Sequence, residues 1–183
     1  MPKRELLSSE ILLTDDQLKA IGCLAVESSR LESLLDDFIQ TVCRFDDTQK
    51  ELFIGKWMTS QKIDAIKLLI RPRLRSKVKL QKFDTLFEKL KDLIARRNII
   101  IHGDWTISQP YNALAILISG TGRRSDAIAN SKKKKLSIKA ADVMTVALRL
   151  SECRDELFRF YYRDVVLKRA RASLNKSLRQ SVP

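Results

Sequence analysis

Leu80-Gln-Lys-Phe83-Asp-Thr-Leu86-Phe87-Glu-Lys-Leu90-Lys-Asp-Leu93-Ile94-Ala-Arg-Arg97-Asn98-Ile-Ile-Ile-His102-Gly103 is the stretch that decides the fold. Its apolar residues recur at intervals of three and four, which places them on one face of an α-helix. The period predicts a helix over about 78–101, with Gly103 as its C-terminal stop. The same period appears on both sides. Thr14-Asp-Asp-Gln17 has the form of a capping box, a hydroxyl at the N-cap with Gln three residues on. It is followed by an apolar stripe of Leu18, Ile21, Ala25, Ser28, Leu31, Leu35, Phe38 and Val42, a helix over about 15–43. Asp46-Asp-Thr48 breaks the chain before short helices at about 48–57 and 59–71, the second with Ile63, Ile66, Leu69 and Ile70 inward and stopped by Pro72. Val143, Val146, Leu150, Cys153, Leu157, Phe160 and Val165 mark a last helix over about 139–168.

Between the third and last long helices the period changes to two. Trp105-Thr-Ile107, Leu114-Ala-Ile-Leu-Ile118 and Leu136-Ser-Ile138 are strand-like and separated by turn residues. The fold expected is all-α: a bundle of four to five helices around one core, with a small β-hairpin or meander inserted at about 104–138. One domain of 183 residues accommodates this, with a core over about 14–168, an N-terminal arm at 1–13 and a basic tail at 169–183.

Charge is distributed unevenly. The formal net charge is +13. Residues 1–51 carry six Lys/Arg against eleven Asp/Glu, whereas residues 52–183 carry twenty-nine against eleven. A basic excess confined to one part of the chain points to a polyanionic partner. The cationic runs are 71–82 with Arg73 and Arg75, 123–135 with Arg123, Arg124, Lys132, Lys133, Lys134 and Lys135, and 163–179. All are candidates for RNA backbone contact. Trp105 and Tyr111 are candidates for base stacking, with anchoring of the insertion as the plainer role.

Most enzyme classes lack their signature here. No GxxxxGK[ST] or GxGxxG loop is present to cradle phosphates. No GxSxG elbow supports a serine hydrolase, and a zinc-protease helix needs two histidines where this chain has one. Cys23, Cys43 and Cys153 are far apart with no CxxC pair, so they are expected to be buried reduced thiols without a zinc site. No metal or cofactor is expected. Asp15/Asp16, Asp36/Asp37 and Asp46/Asp47 are expected at helix starts or on solvated faces. No apolar run approaches bilayer length, and Met1-Pro-Lys-Arg-Glu-Leu-Leu lacks the apolar core of a signal peptide; a cytoplasmic protein without a membrane partner is expected.

One position violates the helical pattern. After Leu86, Leu90 and Leu93 the next stripe position is Arg97, a cation where an apolar residue is due. Such breaks concentrate at functional or strained sites. Asn98 and the single histidine, His102, are four apart and share a helix face. Arg97 precedes His102 by five, about 140° around an ideal helix. The two converge only through an unwound last turn or through a second copy of the helix. Glu32 and Asp36 are the candidate carboxylates on the first helix to hold Arg97, with a surface pairing to Arg30 or Lys19 as the plainer role of Glu32.

Arg97-Asn98-Ile-Ile-Ile-His102-Gly103 resembles the defining motif of HEPN domains, an Arg, four to six residues, then His near a helix end, commonly with a polar residue after the Arg and Gly after the His. The resemblance implies a helical bundle that pairs as a homodimer, so that two Arg/His motifs face one cleft. It also implies a metal-independent endoribonuclease of toxin, anti-phage or RNA-processing systems, with an antitoxin or regulatory protein as partner. Other members are non-catalytic RNA-binding or regulatory dimers. Arg97 and His102 would be catalytic, with Asn98 positioning phosphate or imidazole. HEPN toxins paired with nucleotidyltransferase-type antitoxins often carry Tyr two residues after the His; this chain has Asp104 there. The insertion at about 104–138 is likewise no part of the minimal bundle. The chemistry suits the residues: an imidazole titrating near neutrality can move the 2′-OH proton, and a guanidinium can clasp the scissile phosphate.

Overall fold

The computed structural model describes residues 13–102, 104–108, 113–118, 134–168 and 170. The arm at 1–12, Gly103, Tyr111, Arg123, Arg124, Lys132, Lys133 and the tail beyond 170 lie outside the described residues. Five α-helices make up most of the rest: α1 (Asp15–Cys43), α2 (Asp47–Ile54), α3 (Thr59–Ile70), α4 (Lys77–His102) and α5 (Ala140–Tyr161). Three strands, β1 (Asp104–Ser108), β2 (Ala113–Ile118) and β3 (Lys134–Ile138), lie between α4 and α5 in an antiparallel sheet of order β1-β2-β3. Trp105 pairs with Ile116 across it, and Lys134 and Lys135 open β3 opposite Ile118 and Leu117.

Several helix ends have a local cause. The N-terminus of α1 is the expected capping box: the Gln17 amide N–H donates to Thr14 Oγ1 at 3.3 Å, and the Thr14 N–H donates to Gln17 Oε1 at 2.8 Å. Asp46 and Gln49 form a second box at α2, at 2.7 and 3.0 Å. α1 ends on Arg44, which adopts the left-handed conformation (φ 60°, ψ 38°) and donates its N–H to the Gln40 carbonyl. α2 stops at Ile54, three residues before the expected end, with Gly55 still in right-handed helical conformation and its N–H donating to the Lys50 and Glu51 carbonyls. Pro72 sits in a 3-10 turn, Arg71–Arg73, that closes α3. α5 runs on into a π-helical turn, Tyr162–Val166.

α1 is the central element, packed along α5 and crossed by α3, with α4 against α5. Its buried face is Gln17, Ala20, Leu24, Ser28, Leu31, Leu34, Leu35, Phe38, Ile39 and Val42. This corrects the expected one in its first half: Leu18 is 53% exposed and Ala25 lies outside. Both sets obey the three-and-four spacing, and packing against α5 selects the one that is buried. On α4 the stripe is as expected from Phe83 on, with Phe83, Leu86, Phe87, Leu90, Leu93 and Ile94 buried, while Leu80 is half-buried. An aromatic group closes the core where α1, α4 and α5 meet. Phe83 lies 4.3 Å from Phe87 and 5.2 Å from Phe160 between ring centroids, and Phe38 lies 4.9 Å from Tyr161. Burying such a ring contributes about 1.5–3 kcal/mol. The Tyr161 hydroxyl is satisfied by Thr41 Oγ1 at 2.7 Å.

Candidate active site at the C-terminal half of α4

Ser28, Glu32 and Asp36 follow one another at intervals of four along α1, so they form a single row on its surface. That row faces α3 and α4 with polar groups where the rest of the interface is apolar. Ser28 Oγ donates back to the Leu24 carbonyl at 2.7 Å, which leaves its lone pairs for a second donor. Arg97 Nε supplies it at 3.3 Å. Arg97 Nη2 lies 4.0 Å from Glu32 Oε1, and Thr59 Oγ1, at the start of α3, donates to the same oxygen at 2.6 Å.

Arg97 is four-fifths buried by its side chain, as its place in the stripe implied. Its guanidinium does not end in the interface. Nη1 donates to Asn98 Oδ1 at 3.0 Å, and Asn98 is exposed on the outer face of α4. Exposed His102 lies one turn further along that outer face. The side chain of Arg97 thus spans from Ser28 and Glu32 inside to the Asn98/His102 face outside. α4 is regular α-helix from Arg97 through His102, so no unwinding before the helix end brings the imidazole round to Arg97.

Asp36 is not a partner of Arg97. It forms an ion pair at 2.7 Å with Lys62 of α3, whose side chain is 6% exposed. Its expected place on a solvated face is corrected for the same reason: a buried ammonium requires a carboxylate, and Asp36 is the one it meets. Asp37 stays outside and pairs with Lys50 at 3.0 Å. Glu32 meets neither Arg30 nor Lys19; Arg30 pairs with Glu27 at 2.9 Å, and Glu27 also binds Arg154 of α5. The sequence does not single out Thr59 or Lys62. A threonine at a helix start and a lysine in a basic chain carry no local signal of the carboxylates they meet across the fold.

The remaining candidates lie elsewhere. Arg73 and Arg75 are exposed in the connector before α4, at the opposite end of that helix from His102. Of the three thiols, Cys153 is buried and Cys23 and Cys43 are half-buried, which corrects the expectation of three buried ones. Burial pushes the Cys153 thiol above its ordinary pKa. Among the described residues, no three His, Cys, Asp or Glu side chains converge as metal ligands do, and no helix is long and apolar enough to cross a membrane.

No protein-family model matches this chain, and no curated protein or solved structure matches it.

Proposed function

We propose that the chain is a HEPN-like bundle carrying an inserted sheet at 104–138, and that it acts as a homodimeric, metal-independent endoribonuclease in a toxin or anti-phage role. The observation that carries the proposal is the placement of Arg97. A cation interrupts the apolar stripe, is held from inside by Ser28 and by Glu32 nearby, and reaches Asn98 on the face where His102 stands exposed. A structural arginine would be complete with its interior partners. This one keeps part of its donor fork on Asn98, on the face along which the only imidazole in the chain stands one turn further on.

The proposed chemistry is transfer to the adjacent 2′-oxygen. His102 of one protomer takes the 2′-OH proton, and the oxygen attacks phosphorus to form a 2′,3′-cyclic phosphate. The P–O5′ bond breaks, and the partner's His102 protonates the departing 5′-oxygen. The Arg97 guanidinia neutralise the charge that develops on the phosphoryl oxygens. Asn98 holds a guanidinium Nη toward that face. Glu32 fixes the inner end of Arg97, and Thr59 fixes Glu32. Lys132 to Lys135, Arg123 and Arg124 supply backbone contacts along the insertion.

The test is degradation of mixed-sequence RNA by purified protein in EDTA. Cleavage that continues in EDTA and stops in His102→Ala and Arg97→Ala is the expected result. Cleavage abolished by EDTA overturns the metal-free mechanism, and cleavage that survives His102→Ala overturns the site. RNA bound tightly but left intact identifies the non-catalytic dimer instead.

A further inference from the structure

The basic end of the bundle lies far from His102. Between Arg71 and Lys82 the sequence holds six Lys/Arg and no acid. From Lys77 to Arg97 the axis of α4 rises about 30 Å. A phosphate at the candidate site is therefore out of reach of Arg73 or Arg75.

Structure at this end is built around one buried anion. Asp164 lies in the π-helical turn with a side chain 3% exposed, and it binds Lys79 at 2.7 Å, Lys168 at 3.1 Å and Arg163 at 3.3 Å. One carboxylate against three cations leaves a net positive rim. Arg73 and Arg75 add to it, both exposed and without an ion-pair partner among the described residues. Beside them opens a cleft of about 270 Å³ lined by Ile70, Leu74, Phe160 and Val165 together with Arg73, Lys168 and the Asp164 carboxylate that Lys168 pairs with.

We infer that this end of the bundle is a second RNA-binding surface, which grips single-stranded RNA by its phosphates and seats one base in the cleft. The combination is what single-stranded nucleic acid requires: cations for the backbone and an apolar, partly aromatic slot for a base face. A lipid surface fits less well, because membrane-bound helices pair their cations with a broad exposed apolar face. Along 71–82 the exposed large apolar residue is Val78 alone. The surface's role in cleavage rests on the ribonuclease proposed above; its binding of RNA does not. Bridging about 30 Å takes on the order of nine nucleotides of stacked strand at about 3.4 Å each. An RNA long enough to touch both surfaces is held at two points, and a short one at only one.

The experiment uses the full chain and fluorescein-labelled 2′-O-methyl RNA, which lacks the attacking hydroxyl and stays intact. A dodecamer and a tetramer are titrated over a range of salt. The Arg73→Glu/Arg75→Glu double variant is expected to weaken dodecamer binding at least tenfold. The neutral Arg73→Ala/Arg75→Ala variant is expected to lower the log–log salt slope by about 1.4, as loss of two phosphate contacts to a single strand requires. Both sites are exposed, and an unchanged melting temperature verifies the fold. The tetramer is expected to bind at least tenfold more weakly than the dodecamer to wild type. Equal dodecamer affinity in wild type and the Glu variant overturns the inference, as does loss of binding to phosphatidylserine vesicles with RNA affinity untouched. Native RNA cleaved at wild-type rate by the Glu variant at sub-saturating RNA overturns the surface's role in cleavage and leaves the ribonuclease standing. A dodecamer bound through Arg73 and Arg75, with native RNA never cut, does the reverse.

Discussion

Arg97 and His102 belong to one proposed site but to different environments, and their substitutions separate accordingly. Arg97→Ala removes an aliphatic stem from the α1–α4 interface and leaves Glu32 without its nearby guanidinium. Glu32 is 39% exposed and the pair is 4.0 Å apart, so water absorbs part of the loss. Thermal or denaturant unfolding is expected to show a destabilisation of about 1–2 kcal/mol, less than the 3–5 kcal/mol of breaking a fully buried pair. His102→Ala, at an exposed helix end, is expected to change stability by under about 1 kcal/mol. Both are expected to end cleavage. Arg97→Ala as stable as wild type would mean that Glu32 and Ser28 do not hold the guanidinium. Asp164 gives a pH-dependent counterpart. Burial pulls its carboxyl pKa up, but hydrogen bonds from Lys79, Lys168 and Arg163 outweigh burial and hold it below the ordinary 3.8. A depressed carboxylate pKa contributes stability above the unfolded value and loses it as pH falls through the folded one. Wild type is therefore expected to lose stability below about pH 4. Asp164→Asn is expected to be weaker by about 1–3 kcal/mol at neutral pH, with a shallower acid limb. Parallel acid limbs for the two proteins would show that the carboxylate charge does not secure this turn.

At the scale of helices, the ends are set by single residues and can be tested one at a time. Arg44 closes α1 in a left-handed conformation that costs a residue with a Cβ about 1 kcal/mol. Its side chain is exposed and forms no ion pair among the described residues, so Arg44→Gly is expected to raise stability by up to about 1 kcal/mol. An unchanged or lower melting temperature would mean that the arginine side chain offsets its own strain. Helix starts and stops of this kind were largely legible in the sequence, because Thr14/Gln17 and Pro72 act through neighbours. The inward face of α1 was less so. Leu18-Ile21-Ala25 and Gln17-Ala20-Leu24 are equally periodic, and only the position of α5 decides between them. The site divides along the same line. Arg97 announced itself by breaking a stripe on its own helix. Which carboxylate it approaches, and that Lys62 claims Asp36, depend on how α3 crosses α1, and that crossing leaves no mark in local spacing.

For the whole molecule, the regularity of α4 sets the requirement. With Arg97 and His102 about 140° apart on an unbroken helix, and one histidine per chain, a single protomer lacks the second imidazole that the proposed acid–base pair needs. A two-fold dimer with the His102 faces opposed supplies it, and closed two-fold pairing is the commonest way to bring two copies of a site together. Sedimentation at micromolar concentration is expected to give a dimer. The kinetics of mixed dimers are more discriminating. If each cleft uses both histidines, a heterodimer of wild type and His102→Ala is inactive. Co-refolding the two at equal amounts should then leave about a quarter of the all-wild-type activity, the fraction of dimers with both subunits intact. Independent sites would leave about half. Activity linear in the wild-type fraction, or an active monomer in the centrifuge, would place acid and base within one chain. A chain with one imidazole would then have to draw its second proton-transfer group from elsewhere near Asn98.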